Sequence, residues 1–135
     1  MKVVLNTNVL LSGLLKPYGK PAAILRLVLS GALQVAYDGR ILSEYRTVLL
    51  REKFHFSREM VDALLEQIEA EGFFVVARPL KKHLPDPDDE PFLEVALSGK
   101  VDALITGNKR HYPASASKGV AVLTPTEFLA RTRQF

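Results

Sequence analysis

The chain has 135 residues, 47% hydrophobic and 24% charged, a balance that suits one domain, residues 1–135, with a buried core and excludes a disordered chain. It has no cysteine, which excludes disulfides, thiolate–zinc sites and a cysteine nucleophile. The formal net charge is +3, and a pI near 9.3 permits attraction to phosphate groups without requiring it.

Met1-Lys2-Val3-Val4-Leu5-Asn6 enters a strand-like run at once, with Val3 to Leu5 as a buried strand. It lacks the charged, apolar and cleavage regions of a signal peptide, and no apolar stretch approaches the roughly 20 residues that span a bilayer. A cytoplasmic protein without a membrane partner is expected. Val9 to Leu15 reads as a helix capped by Thr7 or Asn8, and Lys16-Pro17-Tyr18-Gly19 breaks it. Pro21 suits the first turn of a second helix, which runs to Gly31. Leu33 to Tyr37 is the next strand. Asp38 then caps a helix over Arg40 to Arg51, whose apolar stripe is Ile41, Leu42, Tyr45, Val48 and Leu49.

Ser57 caps a further helix, with Met60, Val61, Leu64, Leu65 and Ile68 on one face, and Gly72 ends it. Phe73 to Val76 is a third strand. The polar, Pro-rich stretch from Arg78 to Pro91 reads as a loop, and Asp89 opens a helix stopped by Gly99. Ala103 to Thr106 and Val120 to Leu123 are two more strands. Thr124-Pro125-Thr126-Glu127 is a capping box for the last helix. Strands alternate with helices throughout, which predicts an α/β fold: a parallel sheet covered on both faces. In open sheets of this kind, function sits at the carboxyl ends of the strands.

Four polar residues fall where that rule points. Asn6 follows the first strand, Glu44 lies on the helix after the second, Asp89 starts the helix after the long loop, and Asn108 follows the fourth strand. Glu44 shares the stripe of Ile41 and Val48, where a carboxylate is costly unless it is paired or bound to a metal. A solvated or ion-paired Glu44 is the plain alternative. Asp89 has a plain role too, as a helix cap. Asp86 and Asp88 read as solvated loop residues. Carboxylates about 4 Å apart repel by roughly 4 kcal/mol at an effective dielectric of 20. A hard cation such as Mg²⁺ or Mn²⁺, which prefers oxygen ligands, offsets that repulsion and can activate water against a phosphodiester.

These residues also carry a family likeness. Val4-Leu5-Asn6-Thr7-Asn8-Val9-Leu10, Glu44-Tyr45, Asp86-Pro87-Asp88-Asp89 with Phe92, Leu93 and Ala96, and Ile105-Thr106-Gly107-Asn108 resemble the PIN-domain proteins. The closest group is the PIN-family toxins of prokaryotic toxin–antitoxin systems, and the likeness runs to Leu123-Thr124-Pro125-Thr126-Glu127-Phe128-Leu129. The resemblance implies a mainly parallel sheet of about five strands with helices on both sides. It implies a Mg²⁺- or Mn²⁺-dependent endoribonuclease, blocked by an antitoxin protein, and a homodimer; the helix bearing Met60 and Leu64 is a candidate surface for that dimer.

Carried over residue by residue, the catalytic positions are Asn6, Glu44, Asp89 and Asn108, the first three as metal ligands. Thr7, Asn8 and Thr106 support them. Lys109 and Arg110 lie where they would hold an RNA backbone. Asn108, followed by His111 and Pro113, is a habitual form of its motif. Asn6 departs from the family, which places its leading aspartate there: the amide offers an oxygen without a charge. This implies weakened or absent cleavage, whether Asn6 is native to a low-activity member or was changed to disable the protein.

The alternative is a PIN-like module that binds RNA or an antitoxin without cutting. A phosphotransfer protein is disfavoured, because neither Asn6 nor Asn8 can form an acyl-phosphate. A second basic patch, Arg78, Lys81, Lys82 and His83, reads as plain surface. His55, His83 and His111 show no metal-ligand spacing to one another.

Overall fold

Five strands pair in the order β3-β2-β1-β4-β5, and every pairing is parallel. The computed structural model describes residues 1–132; the expected domain runs on to residues 133–135, which lie outside the described residues. β1 is Lys2–Leu5, β2 Gln34–Tyr37, β3 Phe73–Phe74, β4 Ala103–Ile105 and β5 Val122–Leu123. The helices are α1 Thr7–Leu15, α2 Lys20–Leu29, α3 Gly39–Leu49, α4 Arg58–Glu71, α5 Glu90–Ser98 and α6 Pro125–Arg131.

Val3, Val4 and Leu5 are buried at consecutive positions. Successive strand side chains point to opposite faces, so both faces of the sheet are covered. The register aligns Val3 with Val35 and Ala103, and Leu5 with Ile105. α5 crosses the middle of the sheet, against β1, β2 and β4. Ile24, Ile41, Leu49, Leu93 and Leu104 are fully buried in the core, each contributing about 1.5–3 kcal/mol of transfer free energy.

Helix starts follow the local chemistry. Asp38 caps α3 by accepting from Ile41 N at 3.1 Å, and Ser57 caps α4 through Met60 N at 3.1 Å. Both bonds of the Thr124–Glu127 capping box form at the start of α6. The third and last strands are shorter than the sequence pattern suggests, and Val76 is exposed rather than in the sheet. Met60 and Leu64 pack on or within the core, Leu64 being buried, so Leu64 is not a surface for self-association.

The long stretch after β3 is strapped along α5 in the reverse direction. Arg78 N donates to Ser98 Oγ at 2.9 Å, Leu80 N to Glu94 Oε2 at 3.0 Å, and Leu84 N to Glu90 Oε2 at 3.0 Å. The strap delivers the chain to a short 3-10 turn, Pro87–Asp89, at the start of α5. The sheet order turns back on itself at β1, with β2 on one side and β4 on the other. The crevice at the carboxyl ends of β1 and β4 is therefore the switch point at which open α/β sheets bind ligands.

Candidate functional site

Asn6 leaves β1 at this switch point in an extended conformation and caps α1. Its Oδ1 accepts from Asn8 N at 3.3 Å. Its Nδ2 donates to the Tyr112 hydroxyl at 2.6 Å. The cap of α1 is thus Asn6, not Thr7 or Asn8, because the helix begins at Thr7, two residues before its apolar pattern starts at Val9. This releases the other two side chains. Thr7 donates its hydroxyl to Glu44 Oε2. Asn8 Oδ1 accepts from Gly107 N at 3.3 Å, tying the start of α1 to the turn after β4.

Glu44 is half-buried on α3. Its neighbour Tyr45 is fully buried and donates its hydroxyl to Leu5 O at 2.6 Å. That bond fixes α3 against the end of β1 and so places Glu44 beside Thr7. Burial, with the Glu44 charge next to it, pushes the Tyr45 hydroxyl pKa far up, so the group stays a donor. Among the described residues no lysine, arginine or histidine pairs with Glu44.

Asp89 is only 9% exposed. It stands at the cap position of α5, yet its side chain makes no capping bond. Its Oδ2 is buried and accepts no hydrogen bond; His111 Nδ1 lies 3.1 Å away, within ion-pair distance. Burial is the largest influence on this carboxyl and raises its pKa, opposed by His111 and the Asn6 amide and assisted by the Asp86 and Glu44 charges. Thr7, next to Asn6 in the chain, bonds Glu44, and the Asn6 amide lies beside Asp89, so both carboxylates lie at the same end of the sheet. Asp86, by contrast, is exposed and uses its carboxylate on Asp88 N at 2.9 Å, within its own loop.

Asn108 sits further out. It is exposed, and its Oδ1 accepts from Arg110 N at 3.1 Å, capping the short turn Lys109–His111. Thr106 is fully buried and its hydroxyl receives Asn108 N at 3.2 Å, which shapes the turn. Lys109 is drawn to Glu127 at 3.2 Å. Arg110 is exposed and forms no ion pair among the described residues. Asn6, Thr7, Glu44 and Asp89 therefore gather in one place, with Asn108, Lys109 and Arg110 on the rim.

Tyr112 escaped the sequence reading, and His111 entered it only with the turn after Asn108, not as a neighbour of Asp89. His111 stands beside Asp89, and Tyr112 is buried against Asn6. Burial and the Asp89 charge push the Tyr112 hydroxyl pKa far up. A tyrosine set in a polar loop between His111 and Pro113 was the available signal, since its ring must be covered somewhere.

The donor set suits a hard cation. Glu44 and Asp89 lie at one end of the sheet without a paired lysine or arginine, and the buried Asp89 Oδ2 accepts no hydrogen bond, with His111 Nδ1 3.1 Å from it. Among the described residues no group of three or more carboxylate and imidazole side chains is arranged to hold a metal. Asn6 adds an uncharged amide beside Asp89.

A family model described as PIN domain matches residues 2–110. The chain belongs to the PIN-domain family. This PIN domain is also similar to a chain in the crystal structure of VapBC2 from Rickettsia felis bound to a DNA fragment from their promoter. The TM-score is 0.60 at 14% identity, covering 92% of this chain and 98% of that one. At that identity the likeness shows the shared fold, the five-stranded parallel α/β sheet. A comparison with curated proteins gives no match. Among the described residues no helix of this PIN domain is long and apolar enough to cross a membrane.

Proposed function

We propose that this PIN domain is a divalent-metal endoribonuclease of the toxin type, weakened by Asn6. The observation that carries the reading is the buried Asp89 carboxylate, whose Oδ2 accepts no hydrogen bond, at the same end of the sheet as Asn6 and the Thr7-bound Glu44. Asn6, Glu44 and Asp89 would hold Mg²⁺ or Mn²⁺. When bound, such an ion offsets the carboxylate charges and stabilises negative charge on a phosphodiester.

The other residues prepare the site. The Thr7 hydroxyl orients Glu44, and the Tyr45 bond to β1 keeps α3 in place. Asn108 holds the rim turn in shape, and Arg110 presents a free guanidinium to a phosphate there. Membership in the family, with the likeness to toxins of toxin–antitoxin systems, supports an antitoxin partner, an RNA substrate and a cytoplasmic setting. With Leu64 in the core, a homodimer would have to use other apolar surface, such as Phe74 and Val76 beside the edge strand β3.

A second reading is favoured by Asn6 itself. Both polar atoms of its amide are engaged, one with Asn8 N and one with Tyr112. On this reading the chain binds RNA or an antitoxin without cutting. RNA cleavage with Mn²⁺, measured on the chain and on Asn6→Asp, separates the two. The Tyr112 hydroxyl can donate as well as accept, so it tolerates the new carboxylate. The nuclease reading expects cleavage to rise at least tenfold in Asn6→Asp and to vanish again when Glu44→Gln is added. Cleavage absent from all three proteins leaves the binding module.

A further inference from the structure

Beside the C-terminal half of α5 lies an open cleft of about 670 Å³ that the nuclease reading does not use. Every charged side chain lining it is a cation: Arg78, Lys81, Lys82 and Lys100. None of these four forms an ion pair among the described residues. Four cations held around one concavity without an acid repel one another and raise the local concentration of anions.

The backbone adds a second observation. Lys100 adopts a left-handed conformation, with φ of 50°. Glycine is the residue that fits such a position without strain. The glycine here comes one residue earlier, because a Cβ on Gly99 would lie 2.9 Å from Val75 Cγ2 and from Val95 O. Close packing holds glycine at 99, and the strained position carries a lysine whose side chain lines the cleft.

We propose that this cleft binds the phosphate backbone of single-stranded RNA, as a second contact for the strand that reaches the carboxylates. This identity of the strand rests on the nuclease reading. Ser98 follows Asp89 by nine residues, about 13 Å at a helical rise of ~1.5 Å per residue. The strap from Arg78 to Asp89 joins cleft and site directly.

The lining also selects the ligand class. Its polar side chains are lysine, arginine and serine. The Ser98 oxygen already accepts from Arg78 N, which leaves its hydroxyl proton to donate. Such a lining offers donors to a ligand rich in acceptors, as a phosphodiester backbone is. An acidic peptide brings an N–H at nearly every residue, and the cleft offers its side-chain acceptors only at Ser98 and Ser115, the first already used. No aromatic side chain lines it, so bases do not stack there and the contact reads no sequence.

The test is fluorescence anisotropy of a labelled single-stranded oligouridylate in EDTA, over a range of KCl, so that binding is read without cleavage. Each phosphate neutralised on a single strand contributes about 0.7 to the salt slope of log K. Combining Arg78→Ala, Lys81→Ala and Lys82→Ala is expected to weaken binding at least tenfold and flatten the slope by about two. Lys100→Gly is expected to raise Tm, by relieving the left-handed lysine, while weakening binding; a loss of binding from misfolding would lower Tm instead.

The proposal is overturned if the starting chain does not bind, or if the triple variant binds with unchanged affinity and slope. It is equally overturned if a polyglutamate peptide binds as tightly and is lost in the same variant, which would assign the cleft to an acidic protein. Failure of Asn6→Asp to cleave RNA would sink the nuclease reading and leave the binding result standing. The converse failure would remove the cleft and leave the nuclease.

Discussion

Asp38 and Asp89 each stand just before an α-helix, Asp38 extended and Asp89 at the end of a 3-10 turn, and their carboxylates end up in different states. Each is the cap residue of a helix, and each is only 9% exposed. Asp38 is fully used: Oδ1 receives Ile41 N at 3.1 Å, and Oδ2 lies 2.7 Å from Arg40 Nη2. Arg40 reaches on to Glu94 Oε1 at 2.7 Å, so this corner is a closed ionic network. Asp89 has no capping bond, and its inner oxygen has no donor. The difference separates a carboxylate that builds the fold from one that the fold holds ready for something else. Burial alone would not tell them apart.

The largest expected effect comes from removing the free carboxylate. Introduced beside Asn6→Asp, Asp89→Asn should weaken Mn²⁺ affinity by about a hundredfold or more, roughly 3 kcal/mol. In the starting chain the same change should leave thermal stability unchanged or raise it by about 1 kcal/mol, since a buried charge with no capping bond disappears. Clear destabilisation in urea would show that Asp89 is a structural residue like Asp38.

Asp38→Ala should behave in the reverse way. Loss of the α3 cap costs about 1 kcal/mol. The half-exposed Arg40 loses one of two partners, which adds little. A total of about 1–2 kcal/mol is expected in urea unfolding, with Mn²⁺ affinity unaltered. Tyr112→Phe should cost about 1 kcal/mol, because the buried Asn6 amide loses its acceptor; an unchanged midpoint would deny that bond a role.

The smallest effect lies at the start of α6. Glu127 has its pKa lowered, first by the Thr124 backbone N–H and then by Lys109. A depressed carboxylate contributes stability that is present above its ordinary value of 4.5 and is lost as pH falls through the lower folded value. The stability gap between the chain and Glu127→Gln should therefore narrow as pH drops below 4.5. A gap that stays constant through that range would contradict the capping box as its source.

Much of the fold was legible because local chemistry and periodicity agreed. The caps at Asp38, Ser57 and Thr124 follow from one residue and its neighbours. The strand lengths did not, because Val76 and Val120 are apolar yet lie where pairing has ended. At the site, Asn6, Glu44 and Asp89 could be singled out by their places at strand exits and on helix stripes. That Asp89 would forgo its cap could not be read, since every acid before a helix looks like one. Tyr112 and His111 meet Asn6 and Asp89 only through the turn after β4, a tertiary fact without periodic signature. The cations at Arg78, Lys81 and Lys82 looked like ordinary surface until the strap along α5 brought them to Lys100.

The most direct test of the central claim, that Asn6, Glu44 and Asp89 form one divalent-cation site short of a charge, is calorimetric titration of Mn²⁺ into the chain and into Asn6→Asp. A carboxylate in place of the amide adds a unit charge at the site, opposed by desolvation and by repulsion from Glu44 and Asp89. The expected net gain is about 1–3 kcal/mol, or roughly ten- to a hundredfold in affinity. An unchanged affinity would mean that Asn6 is no ligand position, and the site as described would not stand.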